Sequence, residues 1–230
     1  MAKKKDQHDD GMVAVEEALS KTERFIEKHQ KILIGVISVI VIVVLGFYGF
    51  KKLYVAPMEK EAQEQMFVAE KYFEVDSLQR ALYGDGNNLG FLDIIDEYGI
   101  TVSGNLAQYY AGICFLKMGQ YEDAIDYLSD FKKKDQIVGP MAFGAIGDAY
   151  MELEEKKDAL YYYERAAKFN VNDFTTPLFL LKAGWTAELM EDYEKAYDLY
   201  EKIEKEYPRS NEARDIEKYL ARIKTLQEYK

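Results

Sequence analysis

Residues 105–131 read NLAQYYAGICFLKMGQYEDAIDYLSDF, residues 141–169 read MAFGAIGDAYMELEEKKDALYYYERAAKF, and residues 178–208 read LFLLKAGWTAELMEDYEKAYDLYEKIEKEYP. The three segments align without an internal gap and share one spacing, in which a glycine precedes an alanine by 12 residues: Gly112 and Ala124, Gly147 and Ala159, Gly184 and Ala196. Successive glycines are 35 and 37 residues apart. Because a period of about 34 residues is typical of helix–turn–helix repeats, the segments predict a stack of helix pairs.

The small residues have a packing role in this interpretation. Where the two helices of a repeat cross, only glycine or alanine lets their backbones approach closely. Each repeat leaves an apolar face that its neighbour must cover, so three or more repeats are expected to stack into one superhelix. Larger side chains one turn away are expected to fill the space beside each crossing, in the pairs Phe115 with Leu128, Tyr150 with Tyr163, and Leu180 with Tyr200.

This pattern resembles the tetratricopeptide repeat family, in which a glycine in the first helix, a tyrosine after it, an alanine in the second helix and a closing proline recur. The resemblance covers residues 103–210 and implies an all-α superhelix with three clear repeats. Three features depart from the family pattern. Gln108 stands where the family has a bulky apolar residue, Ala187 replaces an aromatic residue, and only the last repeat ends in a proline, Pro208.

Two flanking stretches extend the predicted superhelix. Residues 58–82 carry small and apolar residues at helical spacing, and a Gly-Asp-Gly-Asn-Asn break separates them from the stretch FLDIIDEYG. We interpret that stretch as the second helix of a degenerate leading repeat. Residues 211–229 form an amphipathic pattern that suits a C-terminal capping helix. The predicted repeat domain therefore covers residues 58–230.

An uncharged apolar run, ILIGVISVIVIVVLGFYGF, covers residues 32–50. A helix needs about 20 apolar residues to cross the hydrocarbon core of a bilayer, so the run predicts one transmembrane helix. A cleaved signal peptide is the competing interpretation, but its apolar stretch would be shorter and would end in a small-residue cleavage site. A buried core helix is a second alternative, and the charges that bound the run on both sides disfavour it.

The distribution of lysine and arginine predicts the orientation of this helix. Four basic residues lie shortly before the run and three shortly after it: Lys21, Arg24, Lys28 and Lys31, then Lys51, Lys52 and Lys60. This modest excess favours a cytoplasmic N-terminus. Residues 1–31 are then a cytosolic segment with a short amphipathic helix and residues 51–57 a linker. Residues 58–230 lie in the periplasm if the helix spans a bacterial inner membrane.

Composition argues against several kinds of function. The 21 basic and 34 acidic residues of segment 53–230 give it a net charge of -13, which disfavours binding to nucleic acid. His8 and His29 are the only histidines and Cys114 is the only cysteine, so no histidine or cysteine metal site and no histidine-based catalytic triad is expected in the repeats. The sequence predicts no cofactor and no enzymatic activity.

A repeat superhelix offers a groove for an extended segment or a helix of another protein. The resemblance to the family implies which residues line this groove: Tyr109, Ile113, Leu116, Met141, Asp148, Met151, Leu178, Leu181, Trp185 and Glu188. Trp185 stands at a groove-facing position, where an aromatic side chain is a typical anchor for a protein partner. Packing of Trp185 under residues 173–177 or against the C-terminal helix is the alternative.

One predicted membrane helix before an acidic repeat domain resembles the YfgM-type ancillary subunits of the bacterial SecYEG translocon, particularly those of the Bacteroidota. The leader VEEALSKTERFIEKHQK directly before the apolar run contributes to the likeness. The resemblance implies association with SecYEG, with a membrane-anchored peptidyl-prolyl isomerase and with newly exported chains, in a chaperone-like role. A scaffold for cell-envelope assembly or division proteins is the alternative function.

Overall fold

The computed structural model describes the backbone of residues 6–228 and the side chains of residues 28–228. Within the described backbone every regular element is a helix, so the predicted all-α class is confirmed. The chain forms two compact units, Met1–Pro57 and Met58–Lys230. The amphipathic face predicted before Lys28 lies outside the described side chains.

The first unit is dominated by one long helix, α1 (Asp6–Phe50), which a π-helical turn (Lys51–Val55) follows. Most of the large apolar side chains between Ile32 and Phe50 are exposed. Such a surface is unfavourable in water, and the helix is long and apolar enough to cross a membrane. Residues 51–57, predicted as a linker, are helical.

The second unit consists of antiparallel helix pairs. The first helices of the three clear repeats are α5 (Val102–Lys117), α7 (Val138–Glu152) and α9 (Thr175–Leu189). The second helices are α6 (Tyr121–Asp130), α8 (Lys156–Lys168) and α10 (Tyr193–Glu206). The flanking helices are α2 (Ala56–Glu74), α3 (Leu78–Tyr83), α4 (Phe91–Tyr98) and, after a 3-10 turn at Glu212–Asp215, α11 (Ile216–Glu228).

In each clear repeat, a large side chain of the second helix packs against the glycine of the first helix. The ring of Tyr163 lies on Gly147, where an added Cβ atom would be 2.7 Å from the ring Cε1, and the ring of Tyr200 lies still closer to Gly184. Leu128 lies on Gly112 in the same way. Any larger residue at these glycines would displace a core side chain, which explains the spacing that the three segments share.

Beside two of the predicted side-chain pairs, the ring that stacks on the first-helix aromatic residue comes from the position before the predicted partner. Phe115 stacks on Tyr127 with 5.0 Å between ring centroids, and Tyr150 stacks on Tyr162 with 5.4 Å. Successive helical residues point about 100° apart. Because Leu128 and Tyr163 are turned onto the glycines, the residue before each of them faces the aromatic side chain of the first helix.

The turns inside the repeats share one backbone geometry. A single residue in each turn has a positive φ, between 56° and 77°: Asp76, Gly119, Glu154 and Glu191. The following amide donates a hydrogen bond to the carbonyl five residues earlier, in the pairs Ser77 to Tyr72, Gln120 to Phe115, Glu155 to Tyr150, and Asp192 to Ala187. This is the Schellman arrangement of a helix C-terminus. Its presence after α2 supports the assignment of α2 as the first helix of a fourth repeat.

The second helix of this leading repeat is broken into two pieces. By the shared turn geometry, Ala81 of α3 takes the place of Ala124, and Ala69, 12 residues earlier, takes the place of Gly112. The helix stops at Gly84, whose φ of 77° no helix permits, and resumes as α4. The stretch FLDIIDEYG is therefore the later half of that helix, which was predicted as the whole of it.

Helices α2 and α5 run in the same direction. Near the start of both, the Glu59 carboxylate accepts hydrogen bonds from the amides of Val102 and Ser103, at 2.7 Å and 3.1 Å. Near the end of both, Lys117 forms a 2.7 Å ion pair with Asp76. The first helices of successive repeats therefore begin at one edge of the superhelix, which we call the inter-repeat edge because the connections between repeats lie there.

The C-terminal helix covers the last repeat, as the sequence predicts. Ile216, Leu220 and Ile223 of α11 are buried in the same core cluster as Tyr200 and Ile203 of α10. Without α11 the apolar side of α10 would be exposed to water. This burial of an end face is the role of a capping helix in repeat proteins.

Candidate functional site

The groove contains an open pocket of about 460 Å³ that is formed by all three clear repeats. Most of its lining comes from the first helices, through Leu116 of α5, Met151 of α7 and Trp185 of α9. The remaining lining residues are Tyr121, Asp148, Glu152, Tyr163, Lys182, Thr186 and Leu189. The pocket thus has an apolar floor and wall with a few polar groups at defined positions, which is typical of a binding site.

Trp185 is both a lining residue and a packed residue. Its side chain is 41% exposed, and its ring meets that of Tyr219 of α11 edge to face, with 6.1 Å between centroids. One side of the indole faces the pocket while the other rests on the C-terminal helix, and the role of Trp185 as a partner anchor stays a prediction. A tryptophan held by one neighbour presents a large contact area at low entropic cost.

The acidic group of the pocket is already paired within the protein. Asp148 accepts a hydrogen bond of 2.6 Å from the Tyr163 hydroxyl, and Lys182 of the next repeat binds its two carboxylate oxygens at 2.7 Å and 2.8 Å. Burial raises the pKa of Tyr163, and the nearby Asp148 charge raises it further, so the hydroxyl stays a donor. The pocket floor therefore contains no unpaired charge at Asp148, which suits an apolar partner group.

A second acid, Glu152, lies at the pocket rim. It is exposed, and the Tyr121 hydroxyl approaches it at 3.3 Å. Unlike Asp148, Glu152 has no cationic partner among the ion pairs of the described side chains. The rim thus offers a carboxylate that a basic group of a partner could approach.

The structure brings four of the ten predicted groove residues together in the pocket, namely Leu116, Asp148, Met151 and Trp185. The others are placed elsewhere. Tyr109 and Ile113 pack against the core between the first and second repeats, and Met141 and Leu178 pack against the C-terminal core. These four side chains are half-buried, so they support the groove wall and do not line the pocket.

Two predicted groove residues need correction. Leu181 is only 8% exposed and belongs to the C-terminal core. Glu188 accepts hydrogen bonds from Tyr200, at 2.5 Å, and from Arg222 of α11, at 2.6 Å, so its carboxylate joins the last repeat to the capping helix. Transfer by family position misplaced Glu188 because its partner Arg222 lies on α11, outside the repeats.

Six lining residues were not predicted: Tyr121, Glu152, Tyr163, Lys182, Thr186 and Leu189. Tyr121 and Tyr163 belong to second helices, which were not considered as groove elements. Lys182 and Thr186 lie on the same face of α9 as Leu189, at a spacing of three to four residues, so a helical-wheel analysis from Trp185 could have found them.

No cluster of histidine, cysteine, aspartate and glutamate suited to a metal ion occurs among the residues that the structure describes. Cys114 is buried in the core of the leading repeats, and burial raises the pKa of its thiol to about 12. A buried thiol with a high pKa is a poor nucleophile.

The fold and the pocket together define a helical-repeat protein of the protein-binding class. Comparison with protein families gives a match to the tetratricopeptide repeat model at residues 106–135 and 179–210, which are the first and third clear repeats. The middle repeat shares their geometry through Gly147 and Tyr163. The tetratricopeptide fold generally serves as a scaffold for protein–protein interaction and is generally non-enzymatic.

A solved structure supports the same fold. The chain resembles the crystal structure of nearly identical TPR-like repeats from a Podosopora anserina protein described as a kinesin light chain, with a TM-score of 0.55. The sequences are 12% identical, and the match covers 75% of this chain and 89% of that one. A comparison with the sequences of curated proteins finds no match. The tetratricopeptide-type superhelix predicted from the sequence is confirmed.

Proposed function

We propose that this protein is a membrane-anchored scaffold that binds protein partners in the groove pocket, without catalysis. The observation that carries the proposal is the position of Trp185 beside Leu116, Met151 and Leu189, above a carboxylate that Lys182 neutralises. An apolar side chain of a partner can enter such a pocket without leaving a buried charge unpaired. The apolar part of α1 supplies the anchor.

The charges at the rim suggest what the partner segment looks like. Glu152 is exposed at one side of the pocket, and the segment 53–230 has a net charge of -13. A segment that carries a large apolar residue followed by a lysine or arginine would therefore be attracted to the groove and anchored in it. The groove would disfavour acidic segments, because they would face the same net negative charge.

We further propose that the partners belong to protein export. In this proposal α1 spans the bacterial inner membrane with a cytoplasmic N-terminus, and the repeats lie in the periplasm as a chaperone-like ancillary subunit of SecYEG. The excess of basic residues before the apolar run and the likeness to YfgM-type subunits support it. A membrane-anchored peptidyl-prolyl isomerase and newly exported chains would be the other partners.

Site-specific photo-crosslinking in native membranes tests both levels of this proposal. A photoreactive phenylalanine analogue at Leu189 places the reactive group in the pocket, and the same analogue at Tyr161, an exposed residue of α8 outside the pocket lining, is the control. SecY, the isomerase or exported chains crosslinked from Leu189 only would support the export role. Crosslinks to division or envelope-assembly proteins would replace that role, and equal crosslinking from both sites would contradict the groove.

A further inference from the structure

The inter-repeat edge carries a row of exposed apolar residues. Val102 is 76% exposed and Phe174 is 69% exposed, although both are large and apolar, and Ile100, Ile137 and Val171 are also exposed. They lie in or next to the three connections between successive repeats, around residues 99–102, 131–137 and 169–174. Exposed apolar residues thus recur at each connection between repeats and all lie on one edge. Singly scattered exposed apolar residues are common on protein surfaces, but a row of them on one edge is not.

The connections are also held together as one surface. Asn105, in the first turn of α5, accepts a 2.8 Å hydrogen bond from the amide of Lys132 and donates one of 3.3 Å to its carbonyl. The connection at 131–137 is thereby fixed against the start of α5. Between them lies a pocket of about 430 Å³ whose apolar lining includes Leu106, Phe131 and Val138.

The basic residues of this edge stand out against an acidic domain. The connection FKKKDQI contains three consecutive lysines, of which Lys132 and Lys134 are exposed at the pocket rim. Lys133 is turned inwards, where its ammonium group donates to the carbonyls of Leu128 and Phe131. Asp135 uses its carboxylate to accept the amides of Ile137 and Val138 at the start of α7.

The opposite edge has a different character. The turns inside the repeats, which lie there, have two exposed large apolar residues in or next to them, Val75 and Leu189. They carry five acidic residues: Asp76, Glu154, Glu155, Glu191 and Asp192. The three connections have a net charge of +1, because three lysines outnumber Asp135 and Asp173. The turns at the opposite edge have a net charge of -5, with Lys156 and Lys157 directly after one of them. This difference between the two edges would orient the superhelix at a boundary between water and an apolar phase whose surface is anionic.

The covalent attachment of the domain indicates which phase that is. The repeat domain starts at Met58, and Glu59 lies at the inter-repeat edge, where its carboxylate accepts the amides of Val102 and Ser103. Burial alone would raise the pKa of Glu59, but the hydrogen bonds from Ser103, Gln63 and Val102 lower it overall, so the carboxylate stays charged and holds this contact. The chain that follows the apolar helix therefore enters the domain at the edge that carries the exposed apolar residues.

We propose that the inter-repeat edge docks on the surface of a bilayer that contains anionic phospholipid, with Val102, Ile137 and Phe174 inserted at the headgroup level and Lys132 and Lys134 beside lipid phosphates. This inference rests on the membrane anchor of the proposed function and is independent of the partner in the groove. Docking would add a second attachment to that of the helix and would hold the carboxylate-rich edge away from the membrane.

Spin labels on single introduced cysteines test this inference in the full-length protein. Cys114 is buried with a raised thiol pKa, so an introduced exposed cysteine is labelled selectively. Labels at Val171→Cys and Phe174→Cys report on the inter-repeat edge, and a label at Val75→Cys on the opposite edge is the matched control. The protein is reconstituted in phosphatidylethanolamine vesicles with and without phosphatidylglycerol.

The expected result is that labels at positions 171 and 174 collide more often with oxygen than with a water-soluble nickel chelate, while the label at position 75 shows the reverse. Charge reversal by Lys132→Glu with Lys134→Glu should reduce this difference in vesicles with phosphatidylglycerol. The matched pair Lys156→Glu with Lys157→Glu, at the opposite edge, should leave it unchanged.

Three results would overturn docking. Labels at positions 171 and 174 that are as accessible to the chelate as the label at position 75 would contradict it. Spin–spin broadening that disappears on dilution with unlabelled protein would show that a second copy covers the edge. Charge reversals with equal effects at both edges would exclude the specific role of Lys132 and Lys134. Flotation with the vesicles after alkaline extraction is measured separately, and its loss would contradict the membrane anchor itself.

Discussion

Tyr163 donates a 2.6 Å hydrogen bond to Asp148, and Lys182 of the following repeat binds the same carboxylate. The arrangement recurs one layer further on, where Tyr200 donates to Glu188 and Arg222 of α11 binds that carboxylate at 2.6 Å. In both places the tyrosine ring lies on a glycine while its hydroxyl reaches an acid of the first helix. The tyrosine thus packs the two helices of its repeat together through its ring. Its hydroxyl positions the carboxylate that binds a cation of the next element.

We expect Tyr163→Phe to destabilise the protein by about 1–2 kcal/mol at neutral pH, because it removes a hydrogen bond to a charged group. Burial and the Asp148 charge raise the pKa of Tyr163 above its ordinary value of 10.0 in the folded state. A raised folded-state pKa stabilises the protein below about pH 10, and this contribution is lost as the pH rises further.

The difference in unfolding free energy between wild type and Tyr163→Phe should therefore shrink above pH 10, by up to about 1.4 kcal/mol per pH unit. Urea unfolding followed by circular dichroism at neutral and alkaline pH measures it. Tyr161→Phe, at an exposed tyrosine of the same helix, is the control and should show no such pH-dependent difference. A difference for Tyr163→Phe that stays constant with pH would contradict the raised pKa.

Trp185→Ala is expected to weaken partner binding by about 2 kcal/mol or more, as for a central aromatic anchor. The accompanying loss of stability should be about 1 kcal/mol, because the indole is partly exposed and packs on Tyr219 through one side. Binding is measured by crosslinking yield and stability by thermal unfolding. Tyr161→Ala removes an exposed aromatic residue outside the pocket and should leave binding intact. Unfolding of the Trp185→Ala variant would show that the residue is mainly structural.

Ala159→Leu should destabilise the repeat domain by about 1–3 kcal/mol or more, because Ala159 is fully buried and the added atoms overpack the helix crossing. Thermal unfolding measures the effect. Lys157→Leu adds a similar apolar group on the exposed side of the same helix and should change stability little. An unchanged melting temperature for Ala159→Leu would contradict the alignment of the three segments.

The shared turn geometry makes opposite predictions for two residues in equivalent positions. Glu154 and Gly119 both have positive φ values, 62° and 77°. Glu154→Gly should raise stability by up to about 1 kcal/mol, because a residue with a Cβ is strained there, although glycine costs some chain entropy. Gly119→Ala should lower stability by about 1 kcal/mol for the same reason.

Chemical denaturation of the two variants beside wild type gives both values. Lys157→Gly, in the first turn of α8, is the control for the first change and should be mildly destabilising, since glycine has a low helix propensity. Changes of the same sign for Glu154→Gly and Lys157→Gly would show that the positive φ has no energetic consequence.

Much of the superhelix could be predicted from the sequence, because glycine and alanine at a fixed spacing indicate where two helices cross. The same reasoning did not predict that Phe115 stacks on Tyr127 and Tyr150 on Tyr162, since a shift of one residue on a helix changes the direction of a side chain by about 100°. It also placed the whole second helix of the leading repeat after the Gly84 break, because Ala81 alone carries too little pattern to be recognised.

The site was harder to predict than the fold. Leu116, Met151 and Trp185 were found from their family positions, which reflect the constant geometry of the first helices. Lys182 was not, because its partner Asp148 is 34 residues earlier and only the stacking of two repeats brings the two charges to 2.7 Å. Glu188 was assigned to the groove for a related reason, since its partner Arg222 lies outside the repeats.

The sequence by itself determined the all-α class, the period of the repeats, the apolar helix and the acidity of the domain, because each depends on residue types at short or regular separations. The tertiary structure decided which side chains share a surface. The pocket around Trp185, the two tyrosine–carboxylate–cation arrangements and the exposed inter-repeat edge all join residues of different repeats. Their positions depend on how the helix pairs stack, and packing between distant segments leaves no periodic signal in the chain.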